Sequence, residues 1–130
     1  MMRFCVVILL CLVARPVVAQ ESALELESWC KFIDTAPMRP DGTIGIPMTS
    51  RAQYCWGSFA VILHLSAAAD SEGVALLKIC PLRKSTEAQF IKIFMRYVER
   101  HPEEAHLRFG EVAMYALWEA FPCASAEPSR

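Results

Sequence analysis

A chain of 130 residues has room for one domain and not comfortably for two. It is strongly apolar, 55% hydrophobic with a mean hydropathy of +0.30, yet its formal charge is only −1. That balance leaves no basic stripe for nucleic acid and raises the question of a membrane-directed segment.

The first twenty residues answer that question. Arg3 precedes an apolar run over residues 4–14, and Val17-Val18-Ala19 offers small or tolerated residues ahead of Gln20. A positive start, a short apolar stretch and a small-residue exit mark a secretory signal peptide. It is expected over residues 1–19, with cleavage after Ala19. The run is too short for a bilayer, which needs about 20 apolar residues, so no membrane span is expected in the mature chain. Leu9-Leu10 ahead of Cys11 does not suit a lipid-acceptor cysteine. Loss of Arg3 and Arg15 leaves eleven Lys+Arg against 14 Asp+Glu, a net charge of about −3. The mature protein is expected in the periplasm.

Cys5 and Cys11 leave with the signal, and Cys30, Cys55, Cys80 and Cys123 remain. An even count in an exported domain reads as two disulfides. Without a Cys-x-x-Cys pair, zinc and thioredoxin-like chemistry are disfavoured.

Four helices are expected in the mature domain, residues 20–123. The first covers residues 23–35: Ser22 with Glu25 makes a capping box, Leu26, Trp29, Cys30 and Ile33 fall at helical spacing, and Pro37 stops it. Residues 36–49 hold three prolines and two glycines and cannot be helical. Asp41-Gly42 is a turn signal. This stretch reads equally as a functional loop or as a flap tucking Ile44, Ile46 and Met48 over the core.

The second helix is expected over residues 50–69, boxed by Ser50 and Gln53. Between Phe59 and Ala69 only His64 and Ser66 are polar. A helix apolar all round belongs in the middle of a bundle or under a partner. Asp70, Ser71 and Gly73 then make a turn, and residues 74–79 form an apolar run that is either a helical turn or an extended piece.

The third helix opens at Thr86, boxed with Gln89, and ends near Arg100. Phe90, Ile93, Phe94, Tyr97 and Val98 form its core stripe. His101-Pro102-Glu103-Glu104 begins the fourth, because proline suits the first helical position and acids suit the first turn. Phe109, Val112, Ala113, Ala116 and Leu117 face the core, Leu107, Met114 and Trp118 form a second stripe, and Pro122 ends the helix. The tail, residues 124–130, is expected to be disordered.

Four cysteines allow three connectivities. The short turn between the third and fourth helices makes them antiparallel neighbours. This places Cys80 at the same end as Cys123 and favours Cys80–Cys123, leaving Cys30–Cys55.

The residues supply no catalytic constellation. His64 in the apolar helix reads as a satisfied core residue. His101 and His106 are five apart and face different ways, a poor zinc arrangement, and no cofactor is expected. Glu103 and Glu104 are adjacent and do not oppose each other as an acid–base pair. No nucleophile elbow, phosphate loop or zincin motif is present. An enzyme is therefore not expected, and binding remains. Candidate partner-contacting residues are the loop acids Asp41, Asp70 and Glu72, and the Met114–Trp118 stripe, which reads as core unless a small bundle leaves it exposed.

Cys55-Trp56-Gly57, Ile79-Cys80-Pro81, Tyr97-Val98, His101-Pro102-Glu103, Ala116-Leu117 and Phe121-Pro122-Cys123 occur in that order. This ordered set resembles the Rap/Tai-type immunity proteins, which protect bacteria against type VI secreted peptidoglycan amidases. The resemblance implies an exported, all-helical, disulfide-containing protein, often a homodimer, that occludes its cognate amidase. It places disulfide cysteines at Cys55, Cys80 and Cys123 and carries over no toxin-contacting residue. The alternative is a small helical envelope protein, chaperone-like or structural, with no toxin partner.

Overall fold

In the computed structural model, residues 21–41 and 43–124 are described. The expected signal peptide, the expected tail beyond Ala124 and Gly42 of the Asp41-Gly42 turn lie outside these residues. The order is α1 (Ala23–Cys30), α2 (Phe32–Thr35), α3 (Ser50–Ser66), α4 (Glu87–Arg100), a 3-10 turn (Pro102–Glu104) and α5 (Phe109–Ala120). There is no β-strand among the described residues. Four isolated antiparallel bridges, Ser22 with Arg108, Met38 with Ile44, Ala69 with Ala75 and Ile79 with Pro122, stitch the connections. The protein is a four-helix bundle with its first helix in two pieces, and no described helix is long and apolar enough to cross a membrane.

The break in the first helix falls at Lys31. There Asp34 N–H donates to the Lys31 carbonyl at 3.2 Å, an i→i+3 bond that tightens the coil. At the other end the Ser22–Glu25 box forms in full. Glu25 N–H donates to Ser22 Oγ at 3.3 Å, and Ser22 N–H donates to Glu25 Oε2 at 3.0 Å. The Ser22 N–H bond, and then the Ser22 hydroxyl donating to the same Oε2 at 3.0 Å, hold the Glu25 carboxyl below its ordinary range.

The expected box at Ser50 is displaced by one residue. Thr49 is the cap, accepting from Ala52 N–H at 3.3 Å, and the Gln53 amide donates instead to the Pro47 carbonyl at 3.0 Å. Thr86 caps α4 by accepting from Gln89 N–H at 3.3 Å.

The fourth helix begins later than expected, at Phe109. Residues 105–108 are used to close α1. A helix leaves its first N–H groups without internal partners, and here Ala23 N–H donates to Leu107 O and Leu24 N–H to Ala105 O, each at 2.9 Å. Those carbonyls face α1 only if residues 105–108 stay out of a helix. The Pro-Glu-Glu signal therefore starts a separate 3-10 turn.

The helix at the centre is α4, not α3. It packs against α1, α2, α3 and α5 and buries Phe90, Ile91, Phe94, Met95, Tyr97 and Val98. Ile91 and Met95 widen the expected stripe, because a helix with neighbours on several sides buries more than one face. The apolar α3 buries only Ala52, Cys55, Phe59 and Ser66. Its Tyr54, Val61 and Leu65 are exposed, and so is His64, whose Nδ1 lies 2.7 Å from the Ala60 carbonyl oxygen. The expectation of a core histidine is corrected: the residue faces outward because α4 takes the centre. In the proline loop, Ile44 packs on the core and Ile46 is half-buried, but Met48 stands 92% exposed.

The sulfurs are joined as Cys30–Cys55 and Cys80–Cys123. The first bond ties α1 to α3 inside the core. The second ties the approach to α4 to the residues that leave α5, and Phe90 and Phe121 meet at the same end with ring centroids 5.3 Å apart.

Candidate binding groove

Residues 70–80 build one wall of a groove. Helix α3 ends at Ser66, earlier than its apolar composition suggests, because its last turn closes through i→i+3 bonds from Ala67 to His64 and from Ala68 to Leu65. Asp70 then organises a turn: its Oδ1 accepts from Glu72 N–H and Val74 N–H, each at 2.9 Å. Gly73 supplies the positive φ of 81° this turn requires. The apolar run that follows is neither helix nor strand. It is clipped to the residues that leave α3 by Leu76 N–H donating to Ala68 O at 3.0 Å, and to the end of α5 by Cys80 N–H donating to Phe121 O at 3.0 Å. The Trp118 indole N–H donates to Leu77 O at 2.7 Å.

Between this wall and α5 lies a surface groove of about 1060 Å³, lined by residues 73–78 and by Cys80, Met114, Trp118, Pro122, Cys123 and Ala124. Its surface is mainly apolar. Val74, Leu76 and Trp118 are 52%, 60% and 41% exposed. Only Ile79 of the run is fully buried, because six residues strung between the ends of α3 and α5 cannot all reach the core. Among the described residues lining the groove, Lys78 is the one that is charged, and it holds a φ of 52°.

Of the candidate contact residues, Met114 and Trp118 lie in the groove, and Asp70 and Glu72 lie on the loop that enters its wall. Asp41 is not brought to them. It sits on the loop entering α3 at the opposite end of that helix, where its Oδ1 accepts from Thr43 N–H at 2.9 Å and Thr43 Oγ1–H at 2.7 Å. These bonds lower the Asp41 pKa. Asp41 and Asp70 thus each serve a turn, as short acids commonly do. The groove itself had no sequence signature, since it depends on where the end of α5 meets a distant segment.

A second polar cluster forms at the turn after α4. Glu103 and Glu104 are neighbours in sequence, and the 3-10 turn brings one ligand atom from each to within 4.8 Å of the other and of His101. His101 stacks on Tyr97 with centroids 4.2 Å apart, and its Nδ1 lies 3.2 Å from Glu103 Oε1. The Tyr97 hydroxyl donates to Glu104 Oε2 at 3.0 Å. The Glu103 carboxyl is held low, first by its own backbone N–H and then by His101. These pairings give each group a structural partner, and no further ligand is needed to explain them.

Burial, and then the bond to Glu104, push Tyr97 up to about 12 from the usual 10. Because the folded value is raised, the contribution is complete below pH 10 and is lost as pH rises toward 12. Stability measured by denaturant should fall across that interval, and Tyr97→Phe should flatten this part of the profile. An unchanged alkaline slope in the variant would show that Tyr97 carries none of it.

The fold and the groove define a disulfide-bonded helical bundle with an apolar surface cleft. Residues 22–123 match the family of Rap1a immunity proteins, and the chain belongs to that family. The match includes all four disulfide cysteines, Cys30 among them. Neither a curated protein nor a solved structure matches the chain. Membership makes this an immunity protein, one of a generally non-enzymatic family whose partners are protein effectors.

Proposed function

We propose that this is an exported immunity protein that binds and blocks a type VI secreted peptidoglycan amidase in the periplasm. The leader of residues 1–19, with cleavage after Ala19, carries the chain there, and the two disulfides suit an oxidising compartment. The protein acts as a proteinaceous inhibitor and not as a catalyst. The observation that carries the reading, beyond family membership, is the apolar groove with Trp118 exposed beside Val74 and Leu76. Interface energy concentrates on aromatic anchors in such settings. Met114 and Trp118 are the anchors, and Asp70 and Glu72 contribute acidic contacts from the adjoining loop. Asp41 belongs to a separate loop that reaches the amidase only if the contact spans both ends of α3. The exposed Tyr54, Val61 and Leu65 on α3 suit a homodimer interface.

Calorimetry against any secreted peptidoglycan amidase found encoded beside this protein tests the reading. The full-length pair should bind tightly and abolish peptidoglycan cleavage. Trp118→Ala or Leu76→Asp should weaken the complex by about 30-fold or more, the scale of an interface hot spot. Retained helical circular dichroism would separate lost contact from lost fold. Absence of binding to any such amidase would defeat the proposal, whereas binding unaffected by both variants would move the contact away from the groove.

A further inference from the structure

The two disulfides lie in opposite surroundings. Cys30 and Cys55 are fully buried, so an attacking group reaches those sulfurs only by opening the bundle. Cys80 is exposed, Cys123 is half-buried, and both line the groove. We propose that Cys80–Cys123 is a thiol–disulfide exchange site, attacked by a thiolate on an apolar carrier seated in the groove. This inference stands apart from the immunity reading.

Exchange requires access to one sulfur and a leaving sulfur able to hold negative charge. The groove meets both needs. Val74, Leu76 and Trp118 offer an apolar bed for the carrier beside the bond. Among the described residues lining the groove, Lys78 is the only charged one, a cation on the same wall two residues before Cys80, and a cation close to a thiol favours thiolate. Its left-handed backbone is costly for a residue with a Cβ. The conformation is held by Lys78 N–H donating to Ala75 O at 3.0 Å and by the Trp118 bond to Leu77.

The step balances with a dithiol as reductant. One thiolate attacks Sγ of Cys80, the S–S bond breaks, and the electron pair leaves on Cys123, which takes up a proton. The second thiolate of the dithiol attacks the mixed disulfide, releases Cys80 as thiolate and closes the carrier's own disulfide. Two electrons pass to the protein, and Cys80 ends protonated. The wall stays in place afterwards, because the Cys80-to-Phe121 and Trp118-to-Leu77 bonds and the Ile79–Pro122 bridge do not depend on the sulfurs.

The test treats the native protein at neutral pH with dithiothreitol, traps thiols with iodoacetamide and maps them by mass spectrometry. Label should appear at Cys80 and Cys123 alone, with helical circular dichroism unchanged. In parallel, benzyl mercaptan and 2-mercaptoethanol, thiols of similar acidity, are compared after scaling each to its rate with oxidised glutathione. Burial of the benzyl group in the groove should give it an advantage of about tenfold. Leu76→Ser, at an exposed position, should erase that advantage, so that the variant's two scaled rates become equal. Lys78→Gln should slow both thiols. Simultaneous labelling of all four cysteines, no labelling short of unfolding, or equal scaled rates for the two thiols would each overturn the proposal.

Discussion

Phe94→Ala should lower the stability of the domain by about 3–5 kcal/mol, the usual penalty for deleting a fully buried aromatic ring. Phe94 is 0% exposed, and its ring meets Phe59 of α3 with centroids 5.3 Å apart. It lies on α4, the helix against which α1, α3 and α5 all pack. A cavity there cannot close by moving one neighbour, because three helices would have to shift together. Domains of this size have about 5–15 kcal/mol in all, so the variant sits at the edge of folding. Guanidinium titration of Phe94→Ala beside Phe94→Leu measures the effect, and the leucine variant should recover most of it. A loss below about 1 kcal/mol for alanine would mean that α4 is not the packing centre.

Removing Cys30–Cys55 should destabilise more than removing Cys80–Cys123, although loop length alone predicts the reverse. Sequence separations of 25 and 43 correspond on the chain-entropy argument to about 3.5 and about 4 kcal/mol. Burial decides between them. Both sulfurs of Cys30–Cys55 are inside the core, and replacing them with alanine also removes packing worth about 1 kcal/mol each. The total is then about 5–6 kcal/mol, against about 4 at most for the exposed bond. Denaturation midpoints of the paired alanine variants test the order. A Cys80/Cys123 variant less stable than the Cys30/Cys55 variant would show that chain entropy outweighs packing here.

Much of the local structure was legible before the fold was known. The Ser22–Glu25 box, the Thr86 cap and the stripe on α4 are set by residues within one or two turns of each other, so spacing alone reveals them. The pairing of Cys80 with Cys123 followed from the short connection between α4 and α5. The two largest errors share one cause. Residues 105–108 lost their helix to the N–H groups of α1, eighty residues earlier in the chain, and His64 faced outward because another helix took the centre. Each was a competition between local preference and a distant partner. The early end of α3 is a local effect, set by the i→i+3 bonds of its last turn.

Candidate contact residues divided along the same line. Met114 and Trp118 could be seen as a stripe, but a stripe does not say whether it is covered. Asp41 and Asp70 were visible as loop acids, yet their bonds to Thr43, Glu72 and Val74 depend on how each loop folds back on itself.

By itself, the sequence determined the helical class, the approximate elements, the expectation of two cross-links and the absence of a recognisable catalytic motif. These depend on periodicity, capping and cysteine count, which act over a few residues or over the chain as a whole. Tertiary structure decided which helix is central, which disulfide is buried and where apolar surface is left over. Those outcomes turn on long-range packing: apolar faces compete for one small core, and the faces that lose, at Trp118, Val74 and Leu76, form the groove.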